Sequence, residues 1–142
     1  MKTIAILGGG ASGLAAAVTL ARELPDTTVL LYEKNAEPGR KLLATGNGRC
    51  NLSNQDIRPS DFHGDSALIS LLTESFGTED CLAFFRSLGL STLAEERRIY
   101  PRTMAAATVR GCTVGRGTPT GSDCEMQYPR GNPYQNRNWI FN

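Results

Sequence analysis

The chain has 142 residues, of which 40% are hydrophobic and 20% charged, and a formal net charge of +1. That gives room for one domain around one small core. The near-neutral balance, with basic residues scattered along the chain, excludes the concentrated positive field that holds nucleic acid or an anionic membrane. No apolar run approaches the ~20 residues that cross a bilayer. Met1-Lys2-Thr3 leads straight into a short apolar segment, without the long apolar region and small-residue cleavage site of a secretory signal. Cys50, Cys81, Cys112 and Cys124 are far apart and His63 is the single histidine, so the spacing supports neither a metal site nor a disulfide framework. A cytoplasmic protein acting on a small molecule is the expectation.

In chain order, Ile4-Ala5-Ile6-Leu7 is an apolar run that ends on three glycines, and Gly13 to Leu24 is an Ala/Leu-rich stretch stopped by Pro25. This predicts strand, tight turn and helix. Thr28-Val29-Leu30-Leu31-Tyr32 predicts a second strand, closing on Glu33 and Lys34. Two parallel strands with a crossover helix make a Rossmann-like βαβ unit of an α/β fold. From Pro38 to Asn54, glycine, asparagine and basic residues predict an ordered ligand-wrapping loop rather than a regular element. Two helical segments follow. One carries Leu68, Leu71, Leu72 and Phe76 on one face; the other carries Cys81, Leu82, Phe84, Phe85 and Leu88 and ends at Gly89.

Gly8-Gly9-Gly10-Ala11-Ser12-Gly13 fits the G-x-G-x-x-G dinucleotide fingerprint and stands between a strand and a helix, as the fingerprint requires. Gly8 permits the sharp turn, Gly10 allows close approach of a pyrophosphate, and Gly13 lets the helix pack on the strand. The amides of Ala11, Ser12 and Gly13, at the positive end of the helix dipole, suit phosphate. Glu33 closes the second strand, where a carboxylate accepts from an adenosine ribose. The fingerprint alone does not separate NAD from FAD.

The segment Gly39-Arg40-Lys41-Leu42-Leu43-Ala44-Thr45-Gly46-Asn47-Gly48-Arg49-Cys50-Asn51 separates them. It resembles the bacterial NAD(P)/FAD-dependent oxidoreductases once labelled aminoacetone-oxidase-like, a family that includes bile-acid-reducing enzymes. Phe76-Gly77, Phe84-Phe85, Leu88-Gly89 and Arg98-Ile99-Tyr100-Pro101-Arg102-Thr103 continue the likeness, which extends over about residues 3–110. Arg97 stands where glycine is expected and Thr103 where serine is usual. The resemblance implies a glutathione-reductase-like flavoprotein fold, FAD lying along the strand ends, and the loop running beside pyrophosphate and flavin. It also implies hydride transfer between NAD(P)H, FAD and an organic acceptor such as a conjugated enone. The candidate cofactor-binding set is therefore Gly8, Gly10, Ala11, Ser12, Gly13, Glu33, Lys34, Arg40, Lys41, Gly46, Asn47, Gly48, Arg49, Cys50 and Asn51. Arg40 and Lys41 bring charge toward the phosphates, while Gly46 and Gly48 let backbone donors reach a ligand.

Other readings are plainer. Arg49 either touches flavin or pins its loop to a carboxylate. Cys50 has no partner cysteine nearby and reads as packing; His63 reads as surface, and the Phe84-Phe85 pair as core. No side chain stands out as a catalytic acid or base, which suits chemistry carried by the cofactor.

From Gly111 the composition changes: no alanine, no leucine, dense Gly, Pro, Asn, Arg and Thr, and no periodicity before Trp139-Ile140-Phe141. Residues 1–110 are thus assigned to the FAD-binding portion and 111–142 to an atypical tail, expected to be disordered. Reading that tail one base out of frame, with permitted codon choices, gives Asp-Ala-Leu-Leu-Glu-Glu-Ala-Arg-Arg-Leu-Gly-Val-Ile-Val-Arg-Cys-Asn, a helix, a glycine stop and a strand. The choice is narrow only at Asp123, Cys124, Glu125 and Met126. Two alternatives accompany the oxidoreductase reading: a frameshifted fragment inactive by itself, and a nucleotide-binding module without redox chemistry.

Overall fold

The computed structural model describes residues 2–115 and the backbone of residues 137–141. Strand β1 (Lys2–Leu7), helix α1 (Ala11–Glu23) and strand β2 (Thr27–Glu33) form the expected Rossmann-like unit, with β1 and β2 parallel and Ile4 opposite Val29. A parallel pair needs a crossover, and the Ala/Leu-rich segment supplies it. Its buried stripe, Leu14, Ala17 and Val18, packs on Val29 and Leu31 of β2. The helix stops before Pro25, with the Leu24 N–H still donating to Leu20 O at 2.9 Å.

The segment from Pro38 to Asn54 is more regular than its composition predicts. It contains helix α2 (Arg40–Ala44), a 3₁₀ turn over Thr45–Gly48 and the two-residue strand β3 (Ser53–Asn54). The reason is packing: Leu42 lies against both core clusters and Leu43 against the second, so the loop has an inner face to satisfy.

Helices α3 (Ser66–Ser75) and α4 (Thr78–Ser87) lie where periodicity placed them. Asp65 caps α3, its Oδ1 accepting from Leu68 N–H at 2.8 Å. The apolar face of α3 is nevertheless exposed, with Leu68, Leu71, Leu72 and Phe76 between 54% and 60% accessible. Beside it runs an apolar groove of about 470 Å³, lined by Leu52, Ile57, Phe62, Ile69, Leu72 and Phe76 among others.

Strands β4 (Thr92–Glu95) and β5 (Arg98–Pro101) form a hairpin on whose far side β3 pairs, giving an antiparallel sheet in the order β3-β5-β4. Its two-residue turn is Glu96-Arg97, with Glu96 at φ 55°. Arg97, at the position where glycine was expected, sends Nη2 to Asp56 O at 3.2 Å.

Helix α5 (Ala106–Thr113) runs through the compositional boundary at residue 110, and Val114 beyond it is buried in the first core cluster. Strand β6 (Arg137–Phe141) pairs antiparallel with β2. The rest of the compositionally distinct tail, including Cys124, lies outside the described residues. Among the described residues no helix is long and apolar enough to cross a membrane, and no cluster of His, Cys, Asp and Glu could hold a metal ion.

Two leucines should separate core from bare surface. Leu31, fully buried, is expected to cost about 2–5 kcal/mol as Leu31→Ala. Leu71, 60% exposed, is expected to change stability by no more than about 0.5 kcal/mol as Leu71→Ala. Urea unfolding of both variants measures the difference.

Candidate functional site: the glycine turn and its loop

The chain leaves β1 through Gly8, whose φ of 99° requires glycine and whose N–H donates to Tyr32 O at 2.8 Å. A methyl group at Gly13 would stand 1.9 Å from Gly8 O, so only glycine lets α1 pack this closely on the turn. At Gly8 and Gly10 a methyl would meet nothing within 4 Å, because both face open space. The first turn of α1 carries no acidic residue and has no side-chain cap. Its leading amides and the positive end of a 13-residue helix are therefore left for an anion. Ala11 and Ser12 are exposed at this end.

Glu33 faces the turn from the end of β2. Its Oε2 accepts from Gly9 N–H at 2.7 Å; its Oε1 accepts from Asn35 N–H at 2.8 Å and from Asn35 Nδ2 at 2.6 Å. Burial pushes the carboxyl upward in pKa. The backbone donors of Asn35 and Gly9, the Asn35 side chain and the Lys34 charge outweigh it, and the net result lies below the usual value of 4.5. These bonds use three of roughly four lone-pair positions on the carboxylate. Glu33 still lines a cleft of about 330 Å³ with Leu7, Gly8, Tyr32 and Lys34. Sequence reasoning did not single out Gly9 or Asn35; Gly9 occupies a variable position of the fingerprint. A methyl on Gly9 would come within 2.7 Å of Pro38 Cβ and 3.1 Å of Glu33 Oε2.

The loop begins at the same point. Gly39 N–H donates to Gly9 O at 2.6 Å, so both polar groups of Gly9 are bonded. Arg40 lines a second cleft of about 300 Å³ with Asn35, Ala36, Glu37, Leu43 and Arg110. Arg40 and Lys41 are exposed, and neither takes part in any ion pair among the described residues. Gly46, Asn47 and Gly48 then turn in succession through left-handed backbone, with φ of 55°, 55° and 81°. A methyl on Gly46 would strike Asn51 N at 2.6 Å, whereas one on Gly48 would meet open space. Asn47 and Gly48 are exposed.

The end of the loop turns inward. The Arg49 guanidinium pairs with Glu95 at 2.6 Å, reaches Tyr100 Oη and Gly46 O at 3.4 Å each, and lies 4.4 Å from the Tyr100 ring centroid. Of the two roles open to Arg49, pinning its loop to a carboxylate is the one visible in the geometry. Cys50 is 2% exposed and packs with Leu90, Ala106 and Val109. The Asn51 amide faces the carbonyls of Ser53 and Ile99, and with its oxygen and nitrogen exchanged the nitrogen donates to Ser53 O at 2.9 Å and Ile99 O at 3.2 Å. Gly8, Gly10, Ala11, Ser12, Gly13, Glu33 and Lys34 thus gather around one turn, and the start of the loop is bonded to that turn.

A family model described as the HI0933-like protein Rossmann domain matches residues 2–130. The chain belongs to this family. The matched stretch passes the boundary at residue 110 drawn from motifs and composition. The chain is also 46% identical over 110 residues to the 3-dehydro-bile acid delta(4,6)-reductase of Clostridium scindens, covering 77% of this chain and 27% of the relative. It therefore spans about a quarter of the length of that curated relative.

Because the Glu33 pKa is lower in the folded state than in the unfolded one, its contribution to stability is complete above the ordinary glutamate range. It is lost as pH falls through the folded value. The urea midpoint should drop on acidification below pH 4.5, and Glu33→Ala should flatten that dependence. At neutral pH the same variant leaves Gly9 N–H unpaired and is expected to cost about 1–3 kcal/mol.

Proposed function

We propose that this chain is the FAD-binding portion of an oxidoreductase. The observation that carries the reading is the open glycine turn: Gly8 and Gly10 face space beside the uncapped amino end of α1, with the Glu33 carboxylate across the cleft. A dinucleotide needs this combination, a close backbone approach and amide donors for its pyrophosphate and a strand-end acid for its ribose. The family match and the similarity to a protein named as a reductase support the oxidoreductase class. FAD rather than NAD is supported by the Gly39–Asn51 loop, whose exposed Arg40 and Lys41 add charge that a Rossmann turn alone does not have.

In this reading the amides of Ala11, Ser12 and Gly13 take the pyrophosphate, Glu33 and Lys34 take the adenosine end, and Arg40 and Lys41 neutralise phosphate charge. Gly46, Asn47 and Gly48 present backbone toward the flavin. Arg49, Cys50 and Asn51 hold that backbone in place from the protein side. A bound flavin supplies hydride chemistry between NAD(P)H and an organic acceptor, for which a conjugated enone of the steroid type is the class suggested by the relative's bile-acid substrate. Residues of this chain bind and orient.

A second reading is capture of the dinucleotide with no turnover by this chain itself, favoured by its correspondence to 27% of the relative. Titration of the purified chain with FAD and with NAD⁺, followed by flavin fluorescence and absorbance, tests the binding claim. Stoichiometric FAD binding that NAD⁺ does not displace is the expected result; absence of binding, or equal competition by NAD⁺, overturns it. Gly13→Ala should weaken FAD binding at least tenfold, about 1.4 kcal/mol, because the methyl forces the turn away from α1. Oxidation of NADPH or NADH by the FAD-loaded chain separates the two readings.

A further inference from the structure

We propose that Arg110 is a positioning residue for the dinucleotide, acting by holding the Glu37 carboxylate away from Arg40 so that the Arg40 guanidinium stays available to phosphate. The inference rests on the FAD reading above. Glu37, Arg40 and Arg110 line one cleft, together with Asn35, Ala36 and Leu43. Two cations and one anion share that space, and the anion is committed. Arg110 Nη2 makes an ion pair with Glu37 Oε2, while Arg40 takes part in no ion pair among the described residues. Without Arg110, the nearest cation lining the cleft for Glu37 is Arg40, three residues further along the chain. A Glu37–Arg40 pair would neutralise the charge that the loop offers a ligand.

Arg110 is poorly placed to serve stability alone. Its side chain is only 20% exposed, and its buried Nε has no hydrogen-bond partner, a desolvation cost with no return inside the fold. Glu37 is 48% exposed and would remain solvated without its partner. What the arginine does fix is position. A methyl on Gly39 would come within 3.1 Å of Arg110 Cγ and 3.3 Å of Leu14 Cδ1, so the arginine stem packs against the backbone where the loop leaves the glycine turn. Gly39 is also the residue bonded to Gly9 O. The arginine thus lies under the hinge between the phosphate turn and the loop, with its charged end on Glu37.

The test is FAD titration of the full chain by quenching of flavin fluorescence, in wild type, Arg110→Met, Glu37→Gln and the double variant, with urea unfolding of each. Methionine keeps the apolar stem and removes the charge. Arg110→Met is expected to lower FAD affinity about tenfold, the size of one lost charge-assisted contact. The double variant is expected to recover wild-type affinity within about a factor of two, because no carboxylate is left to compete for Arg40. Glu37→Gln alone should bind FAD at least as tightly as wild type, and it reads the proposal even where Arg110→Met unfolds. A purely structural role for Arg110 would not be rescued by Glu37→Gln. The inference is overturned by wild-type affinity in Arg110→Met, by a double variant as weak as Arg110→Met, or by weakened binding in Glu37→Gln alone. Wild-type chain that binds no FAD removes the FAD reading and this inference together, whereas binding without rescue removes only the inference.

Discussion

The hydrogen bond from Gly9 N–H to Glu33 Oε2 is the contact on which the rest of the site depends. It joins the turn after β1 to the end of β2, and the Gly9 carbonyl then accepts from Gly39 and brings in the loop. One residue is thus held from two segments distant in sequence. The space around it is so limited that a side chain at residue 9 would collide with Pro38 and Glu33. With the middle of the turn fixed from inside, its flanks at Gly8 and Gly10 face outward. An anion site of this type works because its donors need no reorganisation when charge arrives. The buried carboxylate supplies that rigidity at the cost of its own desolvation, offset by the donors of Asn35 and Gly9.

The loop shows the same logic on a larger scale. Asn47 and Cys50 are non-glycine residues in left-handed backbone, a conformation that costs about 1–3 kcal/mol unless the surroundings impose it. The surroundings can be named. Cys50 is buried under Leu90, Ala106 and Val109, and Arg49 beside it is tied to Glu95 and stacked on Tyr100. Strain in the exposed middle of the loop is therefore held by packing and charge at its end, with the β4–β5 hairpin as anchor. The likeness of Arg98–Thr103 to a family signature has a physical side here: Tyr100 is 1% exposed and forms the platform under Arg49.

Much of this was legible in the residues. The βαβ unit, the roles of Gly8 and Gly13, the strand-end position of Glu33 and the packing of Cys50 follow from spacing and side-chain chemistry. What could not be read was long-range. Nothing in the order of residues says that Glu33 bonds to Gly9 24 positions away, that Arg49 reaches Glu95 46 positions away, or that Arg110 reaches Glu37 across 73. Arg49 stayed open between ligand contact and loop anchor because guanidinium groups serve ligands and carboxylates equally well. The loop looked irregular because glycine and asparagine dominate it, while Leu42 and Leu43, which make part of it helical, are a minority. On α3 the pattern showed an apolar face but not whether anything covers it, since periodicity reports orientation and is silent on partners.

That bare face bears on how far the site is self-sufficient. Among the described residues, the glycine turn is shaped by hydrogen bonds that link Gly8 to Tyr32, Gly9 to Glu33 and to Gly39, and Leu14 to Gly10. Leu68, Leu71, Leu72 and Phe76 are left exposed, and Leu72 and Phe76 share their groove with Leu52 and Ser53 at the far end of the loop. The glycine turn is therefore organised by its own hydrogen bonds, and the apolar groove adjoins only the far end of the loop. Binding and turnover consequently make different demands on this chain. Gly9 and Glu33 hold the turn and Arg49 holds the end of the loop, which is the preorganisation that the proposed dinucleotide site calls for. Under the proposed function, reduction of an acceptor requires in addition a wall that excludes water and places the acceptor against the flavin, a demand distinct from the donors and charge that the turn and the loop supply.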